Sequence, residues 1–167
     1  MPASFTGTHH QKVDAKGRVS IPAELRRELE RGDEEWKSDE ASRLYLVFGE
    51  NLDRNIQGYS AEEFGKLMDR IRAIPRSDPR RDLYDEYVIG ASTVVSVDKD
   101  GRAILNKQMR EKLRVEQGGD LRFRGRLDHF EIWRTDIHDE VRRSAVAEKL
   151  AQAGGVGTDL LAMLREI

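Results

Sequence analysis

The chain contains no cysteine among its 167 residues. This absence excludes disulfide bonds, thiolate metal sites and cysteine nucleophiles. The sequence also lacks long apolar runs: the N-terminal segment has no apolar stretch of signal-peptide length, and no later run is long enough for a membrane span. We therefore expect a cytoplasmic protein with no membrane partner.

The chain also lacks an excess of positive charge. Its formal net charge is −2 and its pI is about 6.1, although charged residues make up 36% of the sequence. A polyanion partner would therefore have to be bound by a local concentration of basic residues. The 38% of apolar residues are enough for a modest core.

A short segment occurs twice. Residues 13–29 (VDAKGRVSIPAELRREL) align without a gap with residues 97–113 (VDKDGRAILNKQMREKL). Six pairs are identical: Val13/Val97, Asp14/Asp98, Gly17/Gly101, Arg18/Arg102, Arg26/Arg110 and Leu29/Leu113. An offset of 84 residues is too long for a solenoid repeat and indicates a tandem duplication of one small module, giving two intertwined halves.

Each copy predicts a strand, a turn, a second strand and a short helix. The turns are DAKG and DKDG, where Gly17 and Gly101 are free to adopt a positive φ. Pro22 suits the first turn of a helix that Gly32 ends. The second copy has Asn106 at the matching position, and a helix follows to residue 113.

Further elements follow from apolar patterning. The strands LYLVFG (44–49), 55–59, LRFRGRL and HFEIWR are predicted around the repeats. Between the repeats, a capping box at Ser60 and Glu63 begins a helix. A second helix after Pro79 places four apolar residues on one face, and the tail from residue 136 is helical with a break at 153–157. The four residues are Leu83, Tyr84, Tyr87 and Val88.

These motifs resemble those of the MraZ family within the SpoVT/AbrB group of transcription factors. The segments that carry the resemblance are FTGTHHQKVDAKGRVSIPAELR, LYLVFG, SAEEF, IGAS, VDKDGRAIL and FEIW. Together they cover roughly residues 5–135, and two copies of the turn are a far more specific signal than one. The family usually has Pro-Pro where this chain has Asn106-Lys107, and the tail after Glu148 lies beyond the family pattern.

The resemblance implies an α+β fold: a tandem swapped-hairpin (AbrB-like, double-psi) β-barrel with two inter-repeat helices and a C-terminal helix. The implied segments are repeat 1 (5–53), a helical connection (54–90), repeat 2 (91–137) and a C-terminal tail (138–167). It further implies a nucleoid-associated ring homo-oligomer that binds double-stranded DNA at repeated promoter boxes. The expected action is mainly repression of its own division and cell-wall operon, with no cofactor, catalytic residue or small-molecule substrate.

The duplicated turns supply the candidate DNA contacts. An arginine can bind phosphate or the guanine O6/N7 edge at two points, and a lysine adds a point charge. The candidate contacts are Arg18, Lys16, Arg102, Lys12 and His10, and the candidate turn-shaping residues are Asp14, Gly17, Asp98 and Gly101. The alternative is that Asp14–Arg18 and Asp98–Arg102 are structural ion pairs, and both roles can hold together. The first turn is favoured as the main contact because the second has Asp100 in place of Lys16.

Three other features admit more than one interpretation. Five arginines in residues 70–81 suit either a phosphate-binding strip or, as we favour, a solvated or subunit-contact face. His9 and His10 should point to opposite faces of a strand, which disfavours a shared metal ion. The larger aromatic residues are expected in the core or at an interface; they are Trp36, Phe123, Phe130 and Trp133.

Two other classes of function remain open. An enzyme is possible on related barrels, but no nucleophile triad, phosphate-cradling loop or ligand cluster stands out. An antitoxin-like partner or an oligomeric scaffold would explain the same repeat without DNA binding.

Overall fold

The computed structural model describes all 167 residues, which form two compact units, Met1–Thr135 and Asp136–Ile167. The protein is of the α+β class. Residues 8–59 form β1 (Thr8–Lys12), β2 (Arg18–Ser20), α1 (Ala23–Arg31), β3 (Ser42–Val47) and β4 (Asn55–Tyr59), and β4 lies just beyond the boundary expected for the first repeat. Next come α2 (Ala61–Arg72) and α3 (Arg80–Tyr84), which continues as a π-helical turn at Asp85–Ile89. The second repeat contains β5 (Ser92–Val97), β6 (Arg102–Ile104), α4 (Lys107–Leu113), β7 (Asp120–Gly125) and β8 (Phe130–Arg134).

The strands of the two repeats pair with each other. One antiparallel sheet has the order β1-β7-β8-β4-β3-β5, and a separate two-stranded ribbon joins β2 to β6. Four of these pairings join a strand of residues 8–59 to a strand of residues 92–134: β1 with β7, β4 with β8, β3 with β5, and β2 with β6. Hydrogen bonds beside the ribbon also connect the repeats, from the Ile21 N–H to the Gly101 oxygen (2.7 Å) and from the Leu105 N–H to the Gly17 oxygen (3.0 Å). Neither repeat therefore completes its sheet alone.

One core receives side chains from both repeats. The two short helices bury equivalent apolar pairs, Leu25 and Leu29 on α1 and Met109 and Leu113 on α4. Their spacing of four residues places each pair on one helix face. Phe123 and Phe130 are also fully buried, and Trp133 is 6% exposed, as predicted. The two copies of the repeat thus contribute equivalent residues to the core.

One of the two hydrogen bonds predicted for the capping box is formed. The Ser60 hydroxyl accepts a hydrogen bond from the Glu63 N–H at 3.2 Å, as predicted. The Glu63 carboxylate instead accepts from the Ala3 N–H (3.1 Å) and from Lys66 Nζ (3.1 Å). The N-terminal segment packs there and buries Glu63, so this carboxylate holds the chain terminus against α2.

The second inter-repeat helix departs from the expected pattern. Leu83 and Tyr84 are 56% and 41% exposed, whereas Tyr87 and Val88 are only partly exposed. With Asn51 and Arg80 they line a groove of about 350 Å³. The apolar face predicted for this helix therefore exists, but part of it has no covering within one chain.

The start of α4 is formed without proline. The Asn106 side chain accepts a hydrogen bond from the Met109 N–H at 2.9 Å, which is the bond made by a helix N-cap. Asn106 thus begins the helix with a side-chain hydrogen bond, at a position where the family usually has proline.

The tail is helical, as predicted, with α5 (Thr135–Ile137), a π-helical turn at His138–Arg142, α6 (Arg143–Ala153) and α7 (Leu160–Leu164). α6 ends at Gly154, whose φ of 132° few other residues adopt. No helix of the protein combines the length and the apolar character needed to cross a bilayer.

Candidate nucleic-acid interface

The first duplicated turn is shaped by one aspartate. Asp14 Oδ1 accepts hydrogen bonds from the backbone N–H groups of Lys16 and Arg18, both at 2.8 Å. The backbone oxygen of Asp14 also accepts from the Gly17 N–H at 3.1 Å, and Gly17 has a φ of 77°. The acceptor at position 14 and the positive φ at position 17 therefore define the shape of this turn.

Arg18 is oriented by the same aspartate. Its Nε donates to Asp14 Oδ2 at 2.7 Å, and its side chain remains 30% exposed. Hydrogen bonds from the backbone N–H and the guanidinium of Arg18 lower the pKa of Asp14. The structural ion pair foreseen as the alternative is thus present. It occupies only the Nε edge of the guanidinium, so the two Nη groups stay available to an acceptor.

The second turn repeats the backbone geometry and has a longer ion pair. Asp98 Oδ1 accepts from the N–H groups of Asp100 (2.9 Å) and Arg102 (3.0 Å), and Gly101 has a φ of 82°. The Arg102 Nη2 donates to Asp100 at 3.3 Å, while its Nε lies 3.8 Å from Asp98. Asp100 therefore neutralises the end of the guanidinium that would meet a polyanion.

The two-stranded ribbon brings both arginines to one face. Arg18 is opposite Ile104 and Ser20 is opposite Arg102, so the two arginines are diagonal neighbours. Diagonal neighbours in an antiparallel pair lie about 7–8 Å apart. The alternate residues of the ribbon, Val19 and Ala103, are buried, so the arginine face is directed outward.

Two residues that hold the turns were not assigned by the sequence. The Arg110 guanidinium lies against Gly17 and donates to the Leu105 oxygen. The Arg26 guanidinium lies against Gly101. A Cβ at either glycine would collide with the facing arginine. The signal was present, because Arg26 and Arg110 are one of the six identical pairs.

The remaining candidate residues differ in their surroundings. Lys16 is exposed at the tip of the first turn. His10 and Lys12 lie on the exposed face of β1, and both approach Asp120, at 3.3 and 3.6 Å. His9 lies on the opposite face, with Nε2 3.2 Å from the Thr6 oxygen, so the two adjacent histidines do not converge. The charge that His10 and Lys12 could offer to DNA is therefore partly neutralised.

Four of the five arginines in segment 70–81 form ion pairs with aspartates of the same chain. Arg72 pairs with Asp69 at 2.7 Å and Arg80 with Asp78 at 2.7 Å, which lowers the pKa of Asp78 to about 2. Arg76 and Arg81 both approach Asp85, at 3.4 and 3.0 Å. These local pairs make a phosphate-binding strip a poor description of this segment.

Comparisons with known proteins identify relatives over the whole chain. A family model described as "MraZ protein, putative antitoxin-like" matches residues 4–86. A protein of Cereibacter sphaeroides named transcriptional regulator MraZ is 36% identical, covering 99% of this chain and 98% of its own length. A protein of the same name from a Ruegeria species is 35% identical over 90% of this chain and 88% of its own length. A solution structure of a Pyrococcus horikoshii protein has a TM-score of 0.32 at 14% identity, which is too low to bear on the fold.

Proposed function

The chain belongs to the MraZ family, and from this premise we propose that it is a sequence-specific DNA-binding transcriptional regulator. The observation that supports the proposal most strongly is the outward face of the β2–β6 ribbon. There Asp14 holds the Nε edge of Arg18. The Nη groups remain able to donate hydrogen bonds to a guanine or a phosphate.

The first turn is the main contact in this proposal. It carries Lys16 at the position where the second turn has Asp100, and Asp100 itself binds Arg102. Arg102 would therefore act as a weaker second contact. Lys12 and His10 would add long-range attraction and no base contact, because both lie beside Asp120.

We further propose that the strands exchanged between the repeats form a swapped-hairpin barrel with the segment boundaries 5–53, 54–90, 91–137 and 138–167. The crosswise pairings of β1 with β7 and β2 with β6 support this arrangement. Copies of the chain would assemble into a ring, for which the exposed Leu83 and Tyr84 offer an apolar contact.

Assembly explains how weak turns could give tight binding. A ring presents several identical turns to successive DNA repeats, and a high effective concentration multiplies their affinities. The proposed target is a set of repeated boxes upstream of the chain's own division and cell-wall operon, which the protein would mainly repress in the cytoplasm, at the nucleoid.

A gel-shift assay tests this function. The DNA upstream of the chain's own gene is titrated with the native protein and with Arg18→Ala. The control is Arg72→Ala, which removes another arginine held by an aspartate at 2.7 Å but away from the ribbon. We expect Arg18→Ala to lose binding while its oligomeric mass is unchanged, and Arg72→Ala to bind like the native protein. Full binding by Arg18→Ala would reject the assigned contact.

A second candidate function is favoured by the description of the family model as antitoxin-like. In that case the exposed apolar groove would hold a protein partner, and the arginine turns would be structural. Purification from the native host distinguishes the two: a stoichiometric protein partner that is lost in Leu83→Lys and retained in Arg18→Ala would favour the antitoxin-like role.

A further inference from the structure

A cleft of about 560 Å³ opens beside the first turn, between that turn and α4 of the other repeat. Its charged lining consists of four basic residues and two acidic ones, in a chain whose net charge is −2. They are Lys16, Lys107, Arg110, Arg114, Glu111 and Glu116. The cleft is therefore a local concentration of positive charge of the kind that composition alone does not reveal.

The basic side chains of the cleft differ in their exposure and in their bonding partners. Arg110 is fixed, because it is partly buried against Gly17 and donates to the Leu105 oxygen. Lys107 forms only an exposed ion pair with Glu111 at 3.8 Å, which is of little energetic value. Lys16 and Arg114 are exposed, and neither side chain takes part in a hydrogen bond or an ion pair within the chain. Three exposed cations thus surround one partly buried guanidinium.

The walls of the cleft are held together by bonds between the repeats. Gln117 Nε2 donates to the Ala15 oxygen at 2.7 Å, and the Gly118 N–H donates to the Val13 oxygen at 2.6 Å. The first turn therefore keeps a defined position relative to α4. A prearranged site of this kind loses less entropy when it binds a ligand.

The residues around the second turn differ from those that line this cleft. The offset of 84 residues places Ala23 where the first site has Lys107, and Glu30 where it has Arg114. Arg26, the counterpart of Arg110, lies 3.5 Å from Glu30. Both copies of the module have therefore kept the guanidinium that packs on the glycine, but the second turn has Lys99 in place of Ala15 and lacks counterparts of Lys107 and Arg114.

We propose that this cleft receives a phosphate of the DNA backbone, bound by Lys16, Lys107 and Arg114. The inference rests on the proposed function and deepens it. Arg18, on the same turn, would contact the bases, while the cleft would fix the position of the turn on the duplex without reading sequence. It also gives a physical reason for the first turn to dominate binding.

The test is the salt dependence of DNA affinity for the full-length, assembled protein. Each phosphate contact contributes about 0.9 to the slope of log affinity against log salt concentration. We expect Lys107→Gln/Arg114→Gln to lower this slope by about 1, and to weaken binding about tenfold at low salt on upstream DNA and on an unrelated duplex alike. The matched control, Arg70→Gln/Arg72→Gln, removes two exposed charges from α2 and should keep the native slope. Lys16→Gln provides an independent test from the other wall.

The outcomes separate this proposal from the proposed function. A native slope in both cleft variants, with binding still lost in Arg18→Ala, would overturn the cleft alone. Failure of the native protein to bind any duplex would overturn both proposals. A loss confined to the upstream DNA would also contradict a phosphate contact.

Displacement of DNA by millimolar ATP at constant ionic strength, seen in the native protein but not in Lys107→Gln/Arg114→Gln, would assign the cleft to a free phosphorylated ligand instead. Lys107→Arg/Arg114→Lys should retain the native slope, which excludes a folding defect as the cause.

Discussion

Gly17 connects the shape of the first turn to the position of Arg110. Its φ of 77° disfavours any side chain, and a Cβ there would displace the Arg110 guanidinium. Gly118 has nearly the same φ, 75°, but a Cβ added to it would meet no atom within 4 Å, so it provides a matched control. Comparing alanine substitutions at these two glycines separates the free-energy cost of the backbone conformation from the cost of losing the arginine contact.

We expect Gly118→Ala to lower the free energy of unfolding by about 1 kcal/mol, the conformational cost of a left-handed residue. Gly17→Ala should cost about 1 kcal/mol more, because the Arg110 hydrogen bond to Leu105 is also disturbed. Urea unfolding of both variants measures the difference. Equal losses would mean that Arg110 contributes nothing to the turn.

Asp14 should make stability depend on pH in the acid range. Its pKa in the folded protein is lowered by the hydrogen bonds from Arg18, so the carboxylate stabilises the fold above about pH 4, and that contribution is lost as the pH falls through the folded pKa. Asp14→Asn should therefore lose less unfolding free energy between pH 7 and pH 3 than the native protein does. Asp39→Asn, which removes an exposed carboxylate outside the turns, should behave like the native protein. Equal losses in the native protein and Asp14→Asn would contradict the assignment.

The duplicated turns could be predicted at residue level because their geometry is local. Asp14, Gly17 and Arg18 lie within five positions, and each bond among them follows from the turn itself. The contact of Arg110 with Gly17 could not be predicted, because it joins residues 93 positions apart and depends on how the repeats pair. The proximity of Asp120 to Lys12 was missed for the same reason.

At the level of elements, a buried charge pair connects the loop after α1 to β3. The Asp33 carboxylate is 2% exposed and accepts hydrogen bonds from Arg43 Nη2 (2.7 Å) and from the Arg43 N–H (3.0 Å). Burial alone would raise the pKa of Asp33, but the bonds from Arg43 outweigh it and lower the pKa. The acidic loop at residues 33–40 therefore begins with a buried, paired carboxylate.

Arg43→Met should lower the free energy of unfolding by about 2–3 kcal/mol, because it leaves a buried carboxylate without its cation. The value lies below the roughly 3–5 kcal/mol typical of a broken buried pair, since Arg43 is one-third exposed. Thermal or urea unfolding measures the loss, and Asp33→Asn/Arg43→Met should recover part of it. No recovery in the double variant would show that the loss arises from packing of the arginine side chain.

The helices and strands themselves were largely predictable. Apolar spacing and the turn residues gave β2, α1, β4, α2 and β8 within a few positions of their observed bounds. The order of strands in the sheet was not predictable from the chain alone. It depends on pairings such as β1 with β7, which lie more than 100 residues apart in the sequence.

At the scale of the whole molecule, the proposed ring leads to a separate prediction. Leu83→Lys would place a charge in the groove formed with Tyr84, Tyr87 and Val88 and should yield smaller particles by light scattering. Its affinity for repeated boxes should fall by about 100-fold or more, because avidity is lost. Val94→Lys, at another exposed apolar position, is the matched control. A particle of native mass in Leu83→Lys would exclude this face as the subunit contact.

The absence of cysteine allows the central claim to be tested directly, since one introduced thiol is unique in the chain. A photoactivatable crosslinker is attached to Ala15→Cys, at the exposed tip of the first turn, and to Ser38→Cys, an exposed position in the acidic loop. Neither change alters the charge of the protein. With upstream DNA bound, we expect crosslinking from position 15 and only background from position 38. Equal crosslinking from both positions, or crosslinking from position 38 alone, would contradict the claim that the arginine turns contact the duplex.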